Sequence, residues 1–178
     1  MTFYQKFIPT AFVPKIEDID YEKLREQGVK SLFFDLDNTL IAYDVDMISN
    51  QTSNFLKTLE KSFDIVILSN SRKHRVAPAV RDFKYVSFAK KPLKFGLNKA
   101  KKIVNKQKAE IVLIGDQIIT DVFVANRFGI QSILVNPIKK SSDRKITKFN
   151  RKIANCILKG VKKRYQKAYE ELIEPYGK

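Results

Sequence analysis

Two aspartates one residue apart, Asp35 and Asp37, close the run SLFFDLD, which is otherwise apolar except for Ser31. An ionised carboxylate at the end of a buried segment is costly unless a counter-charge or hydrogen bonds stabilise it. Asp116 ends a second such run, EIVLIGD, and Asp121 follows five residues later. Clustered carboxylate oxygens suit a hard divalent cation, and Mg²⁺ prefers a few carboxylates together with water and substrate phosphate. Such an ion would offset the repulsion among Asp35, Asp37 and Asp116 that otherwise forces one carboxyl pKa upward. Asp35, held beside it, could attack phosphorus and form an aspartyl-phosphate. If the chain turns at Asp37, that side chain can serve the leaving-group oxygen as general acid and then base. Ser69, with Asn70 beside it, is placed to donate to a phosphoryl oxygen, and Lys91 can neutralise charge in the transition state.

The elements that would position these groups are legible in the same sequence. Five short β-rich runs recur, at 31–36, 64–70, 85–89, 110–116 and 131–137, and helical patterns lie between them at 48–62, 72–82, 93–107 and 118–128. A further short helix is read at 20–27, before Gly28. Hydrophobicity within the runs is continuous rather than alternating, which predicts strands covered on both faces, as in a parallel sheet. Strand alternating with helix predicts a doubly wound, three-layer α/β fold, and such sheets bind ligands at the carboxyl ends of their strands. Asp35, Asp37, Ser69, Asn70, Lys91 and Asp116 all fall at such ends.

Bulk properties bound the reading. A chain of 178 residues holds one domain with a full core. One cysteine, Cys156, excludes an intramolecular disulfide and fits a reducing compartment. One histidine, His74, excludes a multi-histidine metal site. The apolar runs are too short to span a bilayer, and the start MTFYQKFIPTAFVP lacks the basic head and apolar middle of a signal peptide. The expectation is a cytoplasmic protein or one peripheral on the inner face of a membrane. Formal charge is +15, concentrated in residues 89–109, with eight lysines and no acid, and in the last 36 residues, with 11 basic and four acidic side chains.

The motifs together are similar to those of the haloacid dehalogenase (HAD) superfamily phosphatases. DLDNT resembles the first motif, which implies Asp35 as nucleophile, Asp37 as acid/base and Thr39 in support. ILSNS resembles the second, with Ser69; KKP the third, with Lys91; and GDQIITD the fourth, with Asp116 on the metal and Asp121 supporting it. The resemblance implies Mg²⁺ bound by the Asp35 side chain, the Asp37 main-chain carbonyl and Asp116. It groups Thr39, Ser69, Asn70 and Lys91 as phosphate-binding. The opening KFIPTAFVPKIEDID and the segment GDQIITDVFVANRFGIQSILVNPI resemble the YqeG-type branch, from about residue 5 to 140. That branch includes phosphatidylglycerophosphate phosphatases, so the resemblance implies a phospholipid substrate; spacing and composition do not.

Spacing bears on how open the site is. Thirty-three residues separate Asp35 from Ser69 and 21 separate Ser69 from Lys91, so neither interval holds a large cap domain. An uncapped site suits a phosphate protruding from something bulky: a lipid surface, a protein or a nucleic-acid end. Residues 1–140 are read as the phosphatase domain with an aromatic N-terminal segment, and 141–178 as a basic tail. In that tail Ile146, Phe149, Ile153, Ile157, Val161, Tyr165, Tyr169 and Leu172 recur at three- or four-residue steps, with Lys and Arg between them. This predicts an amphipathic helix that either docks on an anionic phospholipid surface beside Phe3, Tyr4, Phe7 and Phe12, or packs its apolar stripe on the domain. The basic blocks also fit a phosphatase of nucleic-acid ends or a non-catalytic RNA-binding scaffold, although no nucleic-acid-binding motif appears. Asp35 and Asp37 as a turn pair and Asp116 as a helix cap are the bland alternatives. The sequence leaves the oligomeric state open.

Overall fold

The computed structural model describes residues 1–176. Six parallel strands form one sheet: β1 (Ala11–Val13), β2 (Ser31–Asp35), β3 (Asp64–Leu68), β4 (Tyr85–Val86), β5 (Ile111–Gly115) and β6 (Gln131–Val135). Their order across the sheet is β1-β6-β5-β2-β3-β4. The two strands that carry the acidic motifs are therefore hydrogen-bonded neighbours at the centre, with Phe34 opposite Ile114. Chain order reverses between them, β3 following on one side of β2 and β6 on the far side of β5. This switch point is where a doubly wound sheet opens a crevice beyond its strand ends.

The unbroken apolar runs resolve into two faces once the pleat is imposed. Leu32, Phe34, Ile65, Ile67, Val112 and Ile114 pack with α1 (Tyr21–Glu26), α2 (Asn50–Leu59) and α3 (Lys73–Val80). Phe33, Val66, Leu68, Ile111 and Leu113 face the other way, onto α4 (Phe95–Val104) and α5 (Val124–Phe128). Each fully buried Phe or Leu contributes about 1.5–3 kcal/mol relative to exposure, so both faces of β2 fix its position and hence that of Asp35. This is the expected three-layer α/β fold, with no cap domain among the described residues.

The structure adds or shifts several elements. β1 lies in TAFVP, where the sequence reading placed only an aromatic N-terminal segment; three residues ended by Pro14 are enough for an edge strand, where a missing ladder donor is tolerated. β4 is two residues long rather than five. Phe88 takes a left-handed φ of 49° and the Phe88 and Ala89 amides donate to the Ser71 and Ser69 carbonyls, so the chain curls over the loop that follows β3. The 118–128 helix begins as a π-helical turn, Ile118–Phe123, before α5, and stops at Gly129 with φ 86°.

The C-terminal segment is two helices, α6 (Lys145–Arg164) and α7 (Gln166–Leu172), broken at Tyr165. The residues that bury α6 are Ala154, Leu158 and Val161, whereas Ile146, Phe149 and Ile153 of the sequence-read stripe stay exposed. A stripe stepping by three or four drifts around a straight helix, so its first and last members face different ways. Phe7 is buried and stacks on Phe123, with ring centroids 4.4 Å apart. The Tyr4 ring lies against Gly160, where an added Cβ would come within 2.3 Å of it. Much of the aromatic N-terminus thus forms a shared core with α6. Residues 177 and 178 of the tail lie outside the described residues.

Candidate active site

Asp35 is the last residue of β2, and Lys91 reaches it from the loop after β4. The Lys91 ammonium donates to Asp35 Oδ1 and to Asp121 Oδ1, both at 2.6 Å, and more weakly to the Leu68 carbonyl at 3.3 Å. Its side chain is 1% exposed. Burial alone would pull the Lys91 pKa down, but the Asp121 and Asp35 carboxylates outweigh it and hold the pKa above the usual lysine value. Lys90, the neighbouring candidate, is exposed and sits over the Phe88 and Phe95 rings.

Asp35, Asp116 and Asp121 are all buried, and each offers a carboxylate oxygen within 4.8 Å of the others. Burial drives the Asp35 carboxyl well above its ordinary range; Lys91 opposes this, while Asp121, Asp116 and Asp37 add to it. Burial also pushes Asp116 up to about 7, against the lowering effect of Arg151. Asp35 Oδ2 is buried and has no hydrogen-bond partner. An unsatisfied carboxylate oxygen among three crowded acids is a donor set that fits a hard cation, so the residues present suit a divalent metal. The tight fit of Asp121 depends on Gly115, the last residue of β5: a Cβ there would lie 2.4 Å from Asp121 Cγ.

Asp37 lies just past β2, and its carboxylate is held by the loop after β3 and by α3. Its Oδ2 accepts from Ser71 at 2.9 Å and from Ser69 at 3.2 Å, and its Oδ1 from Arg75 at 3.2 Å. The chain does turn here: Asn38 has φ 69°, a left-handed conformation that Asn tolerates better than most residues. The resemblance assigns Asp37 to the metal through its main-chain carbonyl, and its side chain stands apart from the three-carboxylate cluster. Ser69 is fully buried, with its hydroxyl committed to Asp37. Asn70 braces Lys91 reciprocally, accepting from the Lys91 amide at 2.7 Å and donating to its carbonyl at 2.9 Å. The Thr39 hydroxyl donates weakly to Asp116 Oδ1 at 3.4 Å.

A cleft of about 260 Å³ opens on this constellation, lined by Asp35, Asp37, Asn70 and Lys91 and also by Arg144, Ile146 and Asn150 of the C-terminal segment. Sites that enclose a whole drug-sized ligand run from roughly 300 to 1,000 Å³. This cleft admits a phosphate and its nearest atoms and leaves the remainder of a large substrate outside.

The sequence reading missed a second cluster. Arg151 of α6 donates to Asp116 Oδ2 at 2.5 Å, to the Asp116 carbonyl at 3.1 Å and to Asp143 Oδ2 at 2.7 Å. Asp143 also accepts from the Asn38 amide at 2.5 Å, and the Tyr176 hydroxyl donates to the Asp116 carbonyl at 2.6 Å. Nothing in the spacing marks Arg151 among the basic residues of its helix. A lone acid at the start of a basic block, Asp143, is the one available signal.

Comparison with known proteins places the chain in a family. Residues 1–139 match the family described as mitochondrial PGP phosphatase. The chain is 35% identical over 168 residues to a probable phosphatase, YqeG, from Bacillus subtilis, covering 93% of this chain and 97% of that one. It is 25% identical over 167 residues to phosphatidylglycerophosphate phosphatase 1 of Arabidopsis thaliana, covering 87% of this chain but 48% of the longer plant protein. In fold it resembles a predicted HAD-like family hydrolase from Porphyromonas gingivalis, with a TM-score of 0.51, 14% identity and coverage of 71% and 98% of the two chains. The chain belongs to the YqeG/PGP phosphatase family of HAD-like phosphatases.

Proposed function

We propose that the protein is a Mg²⁺-dependent phosphatase that removes the terminal phosphate of phosphatidylglycerophosphate, through an aspartyl-phosphate on Asp35, at a cytoplasmic membrane face. The observation that carries this reading is the state of the Asp35 carboxylate. Lys91 fixes Oδ1 at 2.6 Å while Oδ2 has no hydrogen-bond donor, so the carboxylate is held in place with an unsatisfied oxygen beside Asp116 and Asp121.

Asp35 attacks phosphorus in line with the ester oxygen; a carboxylate–phosphorus bond forms as the phosphorus–oxygen ester bond breaks. Asp37 gives the departing alkoxide its proton, then takes one from the water that attacks the aspartyl-phosphate, releasing inorganic phosphate and restoring Asp35. Lys91 stays charged throughout, because Asp121 and Asp35 hold its pKa up, and it offsets negative charge on the transferring group. A divalent ion bound by Asp35 and Asp116, with Asp121 beside them, would supply further charge stabilisation. Ser69, Ser71 and Arg75 hold Asp37 until substrate draws it to the leaving group. Asn70 and Thr39 act by fixing Lys91 and Asp116.

The substrate assignment is supported by the likeness to the plant phosphatidylglycerophosphate phosphatase and by a cleft of about 260 Å³, too small to take in a whole phospholipid. Among the described residues no helix is long and apolar enough to cross a membrane, so a lipid substrate would be met at the surface. A phosphate-release panel of phosphatidylglycerophosphate in detergent micelles, free nucleotides and end-phosphorylated oligonucleotides tests the assignment. Preferential release from the lipid is expected; preference for oligonucleotide ends would replace it with the nucleic-acid reading.

A further inference from the structure

Among the described residues, six of the twelve large apolar side chains that remain exposed sit on segments leaving the carboxyl ends of β4 and β6, on the rim that also carries the cleft. Phe88, Leu93 and Phe95 follow β4, and Ile138, Ile146 and Phe149 follow β6. Phe88, Leu93, Ile146 and Phe149 are 54, 57, 59 and 57% exposed. Pro92, next to Leu93, and Ile146 both line the cleft. The two apolar groups therefore flank the entrance to Asp35.

Along α6 the exposed positions form a stripe. Successive residues turn by about 100°, which puts Ile146, Phe149 and Ile153 on one side and Ala154, Leu158 and Val161, the buried set, on another. Lys145, Lys148 and Lys152 are exposed on the same turns as the stripe, and on the opposite bank Lys90 and Lys94 stand beside Phe88, Leu93 and Phe95. Apolar side chains interleaved with lysines, on a chain of charge +15, match the chemistry of a surface that places hydrocarbon below and anionic head groups above.

We propose that this rim, and not the whole basic tail or the aromatic N-terminus, is a docking face for an anionic phospholipid bilayer, with the cleft opening toward the head groups. The inference rests on the lipid-substrate reading given above. Phe7 and Tyr4 are packed against the π-helical turn and α6 and have no part in it. The rings of Phe88, Phe95 and Phe149 could stack on bases, but Leu93 on one bank and Ile138 and Ile146 on the other are exposed aliphatic side chains that suit hydrocarbon and offer RNA no stacking face. Docked in this way, the protein receives its substrate without extracting it: the phosphate enters the 260 Å³ cleft while the acyl chains stay in the leaflet.

The experiment compares full-length wild type, Leu93→Ser/Phe149→Ser and, as a control off the rim, Ile103→Ser, an exposed apolar position on α4. Each is floated with vesicles of phosphatidylcholine alone and of phosphatidylcholine mixed with phosphatidylglycerol. Hydrolysis of a small water-soluble phosphomonoester and the melting temperature report on the site and the fold. Wild type and Ile103→Ser should float with the anionic vesicles only. The double variant should lose at least tenfold in partitioning, with unchanged melting and soluble-substrate turnover. Equal flotation of the double variant, equal binding to neutral vesicles, or binding to an RNA oligonucleotide in place of vesicles would each overturn the docking face. Failure to release phosphate from the detergent-dispersed lipid would instead overturn the substrate reading, so the two failures are told apart.

Discussion

The Arg151 guanidinium lies 2.5 Å from Asp116 Oδ2 and 2.7 Å from Asp143 Oδ2, so a residue from the C-terminal helix anchors an acid of the metal cluster. Asp143 in turn holds Asn38, in the turn that follows Asp35 and Asp37. Loops after three strands are thereby tied together by one side chain. The helix α6 is in this sense part of the site.

Breaking a buried pair leaves an uncompensated charge. Arg151→Ala strands Asp116 and Asp143, and should destabilise the protein by about 3 kcal/mol, the lower end for buried pairs, since Arg151 is partly exposed. Urea denaturation measures the loss. Added Mg²⁺ should restore more stability to the variant than it adds to wild type, because it supplies the missing positive charge beside Asp116; equal increments would contradict this.

The raised carboxyl pKa values set a pH dependence. Asp116 titrates near 3.8 when unfolded and about 7 when folded without metal, so the folded form holds a proton that the unfolded form has already released. The stabilisation from that proton is fully present below 3.8 and lost as pH rises through about 7. Asp35 shifts in the same direction. Metal-free protein should melt lower at pH 8 than at pH 6, and the increase in melting temperature on adding Mg²⁺ should be larger at pH 8, where protons no longer compete. Calorimetry at the two pH values, with and without the ion, reads both effects.

Gly115→Ala puts a methyl group where Asp121 now packs, 2.4 Å from its Cγ. Overpacking of this kind costs about 1–3 kcal/mol. Because Asp121 holds Lys91, the variant should also lose turnover on a small soluble phosphomonoester, by at least tenfold. A drop in stability with turnover intact would show that Asp121 does not position Lys91 for the reaction.

Much of this was legible in the sequence, for physical reasons. The central strands had to be buried on both faces, so their apolar runs were unbroken, and polar residues at their ends stood out. Asp35, Lys91, Asp116 and Asp121 do converge. What stayed hidden depended on contacts distant in the chain. β1 is defined by pairing with β6 across more than a hundred residues, and a three-residue strand carries almost no pattern of its own. Arg151 looked like its solvated neighbours because only the fold brings Asp116 to it. The α6 stripe misled for a geometric reason: its steps are mostly of four residues in succession, and each advances about 40° around the helix, so the stripe leaves one face within 20 residues.

The central claim is that phosphate passes through Asp35, and trapping the intermediate tests it most directly. Wild-type protein turning over substrate with Mg²⁺ is quenched in acid, digested and analysed by peptide mass spectrometry, with Asp35→Asn, expected to lose at least ~10³-fold in turnover, run in parallel. A hydroxylamine-labile phosphoryl group on the peptide containing Asp35, absent from the variant, is the predicted result. Turnover with no label at Asp35, or an Asp35→Asn protein that still hydrolyses substrate at the wild-type rate, would contradict it.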